Sequence, residues 1–357
     1  MTGELKLKMK PIAVAISLSG LVSTQIAKAE DTQLLKGVSI NGLLQVEARF
    51  NQDYAGNDSS DFVVDEFGLG IEAKVHKFAK AQIAFVYEEG ATDLEIDEAF
   101  LTLGNSAESP VYLAVGQLYV PFGNFESHMV SDPLTLEIGE ARETAAQLGF
   151  ETRGLYGSVY VFNGMTQDGA EDKIDHYGAN IGFAQETERL NYDVGISYIS
   201  DLADSDGLTG ALEAAAPAGD VTQLANYDYV NGLSAHLLFK IGPISLIGEY
   251  VTALDEFNAS HLAFNGKGAE PKAWNAEAGY TFNIMGKETT LALGYQGTDE
   301  AVAIGLPEAR ILAGLSVGIY DNTTFSLEYA RDEDYDVSDS GTGKDADRVT
   351  LQLALEF

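Results

Sequence analysis

Apolar and polar residues alternate with a period of two through most of the chain after Glu30. Over 38–50 (VSINGLLQVEARF), Val38, Ile40, Leu44, Val46, Ala48 and Phe50 share one face, and Ser39, Asn41, Gln45, Glu47 and Arg49 share the other. Successive strand side chains point to opposite faces, so this pattern dictates a strand with one greasy and one wet side. The alternation recurs over 67–75, 81–87, 177–183, 190–198, 233–239, 244–250, 274–282, 291–295, 311–319, 325–329 and 349–357. Most segments run about ten residues, the length a tilted strand needs to cross hydrocarbon. They number about sixteen, and an even count is what a closed bacterial barrel requires. Near 93–104 the parity of Leu94/Ile96 differs from that of Ala99/Leu101/Leu103, which marks a bulge. The stretch 143–151 alternates only loosely.

The connections also sort into two kinds. Short ones fall at 151–153, 186–188, 241–243, 283–288 and 321–323. Long ones fall at 121–142, 164–175, 201–226, 253–272, 298–307 and 331–347. An outer-membrane barrel keeps short turns on the periplasmic side and long loops outside, whereas a soluble sandwich such as a lectin has no reason to. The apolar-face rings sort by end as well. Tyr87, Tyr177, Tyr198, Tyr229, Tyr250, Trp274, Tyr295 and Tyr329 lie toward the long-loop end, and Phe183, Phe239, Phe282, Phe325 and Phe357 toward the other. Two aromatic girdles around an aliphatic band match two membrane interfaces. The expected fold class is therefore all-β: a transmembrane antiparallel β-barrel of about 16 strands. A C-terminal aromatic such as Phe357 resembles the signal read by barrel-assembly machinery.

The N-terminus reads as an address. Lys6, Lys8 and Lys10 precede the apolar run 12–22, and Ala27-Lys28-Ala29 forms an A-x-A site before Glu30. This predicts a signal peptide over 1–29 and a single barrel domain over 30–357. Translation from Met9 is an equally good start. Export in a cysteine-free chain suits the bacterial outer membrane, with the lipid bilayer and lipopolysaccharide as surroundings and a homo-oligomer as a possible state.

Composition removes other classes. The chain has 21 Lys+Arg against 55 Asp+Glu, a formal charge of -34, which repels nucleic acid. Cys is absent, so disulfides, thiolate metal sites and cysteine nucleophiles are absent too. His76, His128, His176, His236 and His261 show no ligand spacing and read as wet-face or loop residues. No G-x-S-x-G elbow or phosphate loop occurs. The expectation is a chain with no catalytic residues, no metal and no cofactor.

The third long-end connection, 121–142, is unusually apolar (PFGNFESHMVSDPLTLEIGEAR), and its apolar side chains need cover. The barrel's inner wall offers it, so this third extracellular loop is expected to fold inward and narrow the pore. Ser131 or Asp132 before Pro133 reads as a helix start. The candidate constriction residues are Phe122, Phe125, Glu126, His128, Asp132, Glu137 and Glu140. The candidate lumen bases are Arg49, Arg142, Arg153, His236, Arg310 and Arg348. Acid on the loop opposite base on the wall would set up a transverse field that tunes which solutes pass.

Three blocks, DEAFLTLG (97–104), YVPFGNFESHMVSDPLTLEIGEARETAAQLGF (119–150) and SVYVFNG (158–164), resemble the siderophore porin family of LbtU type. The resemblance implies a plug-less outer-membrane barrel that admits a ferric siderophore or another small solute. The alternative is a general or anion-selective diffusion porin. The acid balance suits a cationic or neutral siderophore better than a polycarboxylate.

Overall fold

The computed structural model describes residues 37–357 apart from 105–107, 167–172, 188–189 and 225–226. The segment 1–29 read as a signal peptide lies outside the described residues. In chain order the strands are β1 (Val38–Gln52), β2 (Asp58–His76), β3 (Ala79–Glu88), β4 (Thr92–Gly104), β5 (Val111–Tyr119) and β6 (Arg142–Thr152). They continue with β7 (Leu155–Phe162), β8 (His176–Glu186), β9 (Leu190–Ile199), β10 (Gly232–Ile241) and β11 (Ile244–Ala253). A two-residue pair, β12 (Ala263–Phe264) and β13 (Lys267–Gly268), forms a small hairpin inside a loop. The rest are β14 (Lys272–Ile284), β15 (Lys287–Asp299), β16 (Ala309–Tyr320), β17 (Thr323–Glu333) and β18 (Asp345–Glu356).

All but the small hairpin close into one antiparallel barrel of 16 strands, each paired with its chain neighbour. The ring shuts between β1 and β18, with Leu44 opposite Leu355 and Phe50 opposite Val349. Phe357 extends this seam: Gly42 N–H donates to its carbonyl at 2.8 Å, and its own N–H donates to Gly42 O at 3.0 Å. Gly42 has no Cβ, which leaves room for the Phe357 ring. Closure satisfies the backbone without a free edge, which hydrocarbon demands.

The alternation resolves into an outer and an inner face. Ile83, Leu101, Val159, Ile196, Leu293 and Ile311 are exposed on the outside. Glu47, Gln147, Ser234, Glu277, Thr350 and Gln352 are buried within. The tight turns lie at one end: Arg153-Gly154 and Met285-Gly286 both adopt left-handed φ at two consecutive residues, the geometry of a two-residue hairpin. The stretch 142–152, only loosely alternating in sequence, pairs as a regular strand with β5 and β7.

Two of the register shifts bring extra acids to the inner face. The β3–β4 register steps from Ala84↔Glu98 to Phe85↔Ile96, leaving Asp97 as the extra residue at the place where the sequence parity slips. The β1–β2 register steps from Gln45↔Glu66 to Val46↔Val64, leaving Asp65 extra. A bulge turns two consecutive residues toward one side. Here it puts Asp65 with Glu66, and Asp97 with Glu98, on the inside.

Candidate functional site

The loop between β5 and β6 folds into the barrel and crosses to the far wall. Carboxylates hold it there. Glu249 on β11 accepts the N–H of Asn124 (2.6 Å) and of Phe125 (3.1 Å) and the Thr135 hydroxyl (2.8 Å). Glu277 on β14 accepts the Ser127 hydroxyl (2.8 Å) and the His128 N–H (2.7 Å). Glu328 on β17 accepts the N–H of Val130 (2.6 Å) and Ser131 (3.1 Å) and the Ser131 hydroxyl (2.7 Å). Hydrogen bonds to an ionised acceptor are roughly twice as strong as neutral ones, so three acids make a firm clasp.

Packing completes the attachment. Phe122, Leu134 and Ile138 are fully buried. Met129 packs with Ala292, Leu312 and Ala330, and it lies over Gly294 and Gly314 of the wall, where a side chain would crowd it. Phe125 adopts a left-handed φ of 56°, and its ring lies against Gly123 and Gly139. The helix α1 (Leu134–Gly139) is shorter at its start than the sequence suggests. Pro133 takes the cap position with no side-chain cap bond, because the Ser131 hydroxyl is engaged by Glu328. The β9–β10 connection, 200–231, backs it: Asp206 N–H donates to Glu140 O at 2.9 Å from the start of α2 (Asp206–Glu213).

The loop thus fills the β11–β17 side and leaves its opening toward β1–β5. A cavity of about 280 Å³ lies there. Nine carboxylates line it: Asp65, Glu66, Glu88, Glu95, Asp97, Glu126, Asp132, Glu140 and Asp206. Arg142 is its one basic lining residue, and it is already matched. Its guanidinium reaches Glu95 at 2.8 Å and Asp97 at 3.0 Å, and Asp97 also accepts from Tyr119 OH at 2.7 Å.

The expected confrontation of loop acids with wall bases is not the arrangement found. The wall groups that grip the loop are acids, because the loop offers backbone N–H groups rather than carboxylates at the contact. The wall bases pair with acids of the wall instead. Arg49 binds Glu47 at 2.6 Å and also Asp65, Arg310 binds Asp332 at 2.6 Å, and His236 stands 3.5 Å from Asp193. Arg153 sits exposed in the β6–β7 turn at the short-turn end, away from the loop, and Arg348 lies on β18 with Nε and Nη2 buried. Of the loop candidates, Phe125, Glu126, Asp132 and Glu140 line the cavity. Phe122 is buried in the packing beneath it, and Glu137 is exposed outside that lining. His128 Nε2 pairs with Ser245 Oγ at 2.7 Å, and burial, then nearby Lys240, holds its imidazole below the usual range.

Two acids of the inward loop titrate abnormally. Asp132 is reached by lumen water yet ringed by protein. Desolvation, then the charges of Glu137, Asp65, Glu88 and Glu328, push it up to about 7. Glu140 is raised well above the ordinary carboxylate range by burial and then by Asp206, Asp132, Asp97 and Glu137.

Comparison with known proteins places this architecture. The chain is 30% identical over 317 residues to a UPF0422 protein of Coxiella burnetii, an alignment that covers 86% of the chain. Its sequence homologues are UPF0422 proteins. The chain spans 66%, just under two thirds, of that relative's length. No family model matches. Among solved structures, the outer membrane channel DcaP of Acinetobacter baumannii superposes with a TM-score of 0.61 at 16% identity, covering 90% of this chain and 97% of that one. An anion-selective porin from Comamonas acidovorans gives 0.61 at 11% identity, covering 90% and 99%. At such identities the likeness is one of fold. The chain has a porin-like barrel fold.

Proposed function

We propose that the chain is a passive diffusion channel whose eyelet favours cationic and neutral solutes. The observation that carries this is the lining: nine carboxylates face one arginine, and that arginine is bound to two of them. Rings of Asp and Glu select cations, and a low-dielectric wall strengthens their field. The same lining argues against the anion-selective alternative.

The ferric siderophore reading rests on the resemblance of the three sequence blocks. The acidic eyelet supports a cationic or neutral ferric complex as that cargo and opposes a polycarboxylate one. Two measurements test the proposal. In planar bilayers under a KCl gradient, the reversal potential should have the sign of cation selectivity; a chloride-sided or zero potential overturns the eyelet reading. Cells lacking the gene should lose more of their uptake of a labelled cationic ferric siderophore than of an unrelated neutral sugar of similar mass. Equal loss of both leaves a general porin and removes the siderophore.

A further inference from the structure

Behind the eyelet, between the β7–β8 and β9–β10 connections, lies a polar cluster sealed from water. Asp201, Asp204 and His176 have fully buried side chains, and one donor atom from each lies within 4.8 Å of the others. The carboxylates are held in place by neutral donors. Asp204 Oδ1 accepts from Met165 N–H (2.8 Å), Thr166 N–H (3.1 Å) and the Thr166 hydroxyl (2.9 Å). Asp201 accepts from Tyr227 OH at 2.9 Å, from Val230 N–H at 3.1 Å and from the Thr166 hydroxyl at 2.8 Å. One hydroxyl proton cannot serve both acids, so Thr166 Oγ1 satisfies one of them at a time.

What remains is an unmet set. His176 Nδ1, His176 Nε2 and Asp204 Oδ2 are buried with no hydrogen-bond partner. Nδ1 stands 3.3 Å from Asp204 Oδ2, while Nε2, on the other edge of the ring, stands 4.0 Å from Asp201 Oδ2. Only one of the two ring nitrogens can face a given ion, and the pair Nδ1 and Asp204 Oδ2 lies inside the about 4.2 Å that separates two ligands of one zinc at most. Glycine keeps the place open. A side chain at Gly164 would meet His176 Nδ1 at 1.7 Å and Asp204 Oδ2 at 2.6 Å. An unpaired buried charge is very costly, so two sealed carboxylates must be met by a cation or by protons.

We propose that this cluster is a structural site for a divalent metal ion of the zinc class, held by His176, Asp201 and Asp204 with Thr166 Oγ1 as a further oxygen. One imidazole with two carboxylates suits zinc better than calcium or magnesium, which prefer all-oxygen shells. The neutral donors on the carboxylates fix their orientation, as outer partners of metal ligands do. The ion would tie the β7–β8 connection to the β9–β10 connection, whose helix α2 backs the inward loop.

The test uses the full barrel refolded in detergent, stripped with chelator, exposed to excess Zn2+ and desalted. The wild type should retain about one zinc per chain by elemental analysis, and its melting temperature should rise with Zn2+ but not with Ca2+. Asp204→Asn and His176→Gln, each checked for a barrel that still shifts on gels with heating, should retain at least about tenfold less. If the folded wild type keeps no zinc, or if it keeps no more than Asp204→Asn, the proposal fails and the cluster is a buried imidazolium–carboxylate pair. Should both variants fail to fold, saturable one-to-one Zn2+ binding by the wild type decides the matter alone.

Discussion

The Ser131 hydroxyl donates to Glu328 Oε1 at 2.7 Å, joining residues 197 positions apart and fastening the inward loop to the far wall. Two backbone N–H groups share the same carboxylate. The loop's position therefore depends on three wall acids, of which Glu328 is the most distant from the loop in sequence.

Replacing Glu328 with Ala should loosen this end of the clasp. The stranded N–H groups of Val130 and Ser131 would cost roughly 1–3 kcal/mol. Water in the lumen offsets part of that, so the barrel should still assemble. Single-channel conductance should rise, and deletion of 124–138 should raise it further. Unchanged conductance in both would mean that the loop does not restrict the pore.

Arg142 offers a test of the eyelet's charge. Arg142→Ala removes the base that faces Glu95 and Asp97. Reversal potentials in a salt gradient should move further toward cation selectivity, with a lower melting temperature from the uncompensated acids. Arg142→Lys should hold the selectivity near the wild-type value. A shift toward anions in Arg142→Ala would contradict the acidic lining as the source of the field.

The eyelet should also respond to pH. Asp132 ionises only near 7, and burial with its acidic neighbours also raises Glu140 well above the ordinary carboxylate range. As pH falls from 8 to 6, Asp132 becomes neutral and the cation preference should weaken. The stability change has the opposite direction. These carboxyls bind protons more tightly folded than unfolded, so stability falls as pH rises from about 4 through 7. Asp132→Asn should flatten both profiles near neutrality, read as reversal potential and melting temperature against pH. A wild-type selectivity constant from pH 8 to 6 would rule out Asp132 as a titrating group of the eyelet.

The sequence and the structure agree best where side-chain period decides the matter. Val38–Gln52 and Lys287–Asp299 alternate because one face meets lipid and the other the lumen, and that contrast is written in residue type. The bulge at Asp97 showed as a parity slip. The bulge at Asp65 did not, because Val63 and Val64 leave the apolar pattern undisturbed there. The inward loop was announced by Phe122, Leu134 and Ile138, which need cover. Its anchors were not: Glu249, Glu277 and Glu328 look like any wet-face acid, and their partners are mostly backbone N–H groups that carry no residue identity. His176, Asp201 and Asp204 escaped for a related reason. The histidine lies 25 positions from the first aspartate, and only the meeting of two connections brings them together. A DxxD pair at the end of a strand was the only trace.

The lipid-facing assignment is tested most directly at Leu293. It is 62% exposed on β15, flanked across the ladder by Ala278 and Ala313, so an added side chain there meets lipid rather than protein. Leu293→Arg should cost about 2–4 kcal/mol near the bilayer midplane. Met285 is a suitable control, being 98% exposed in a turn with a left-handed φ that arginine tolerates no worse than methionine. Met285→Arg lies beyond the hydrocarbon and should cost about 0–1 kcal/mol. Denaturant unfolding in lipid vesicles, followed by heat-dependent gel mobility, reads both. Equal stability of the two variants would mean that residue 293 does not face hydrocarbon, and the inside and outside of the barrel would have to be exchanged.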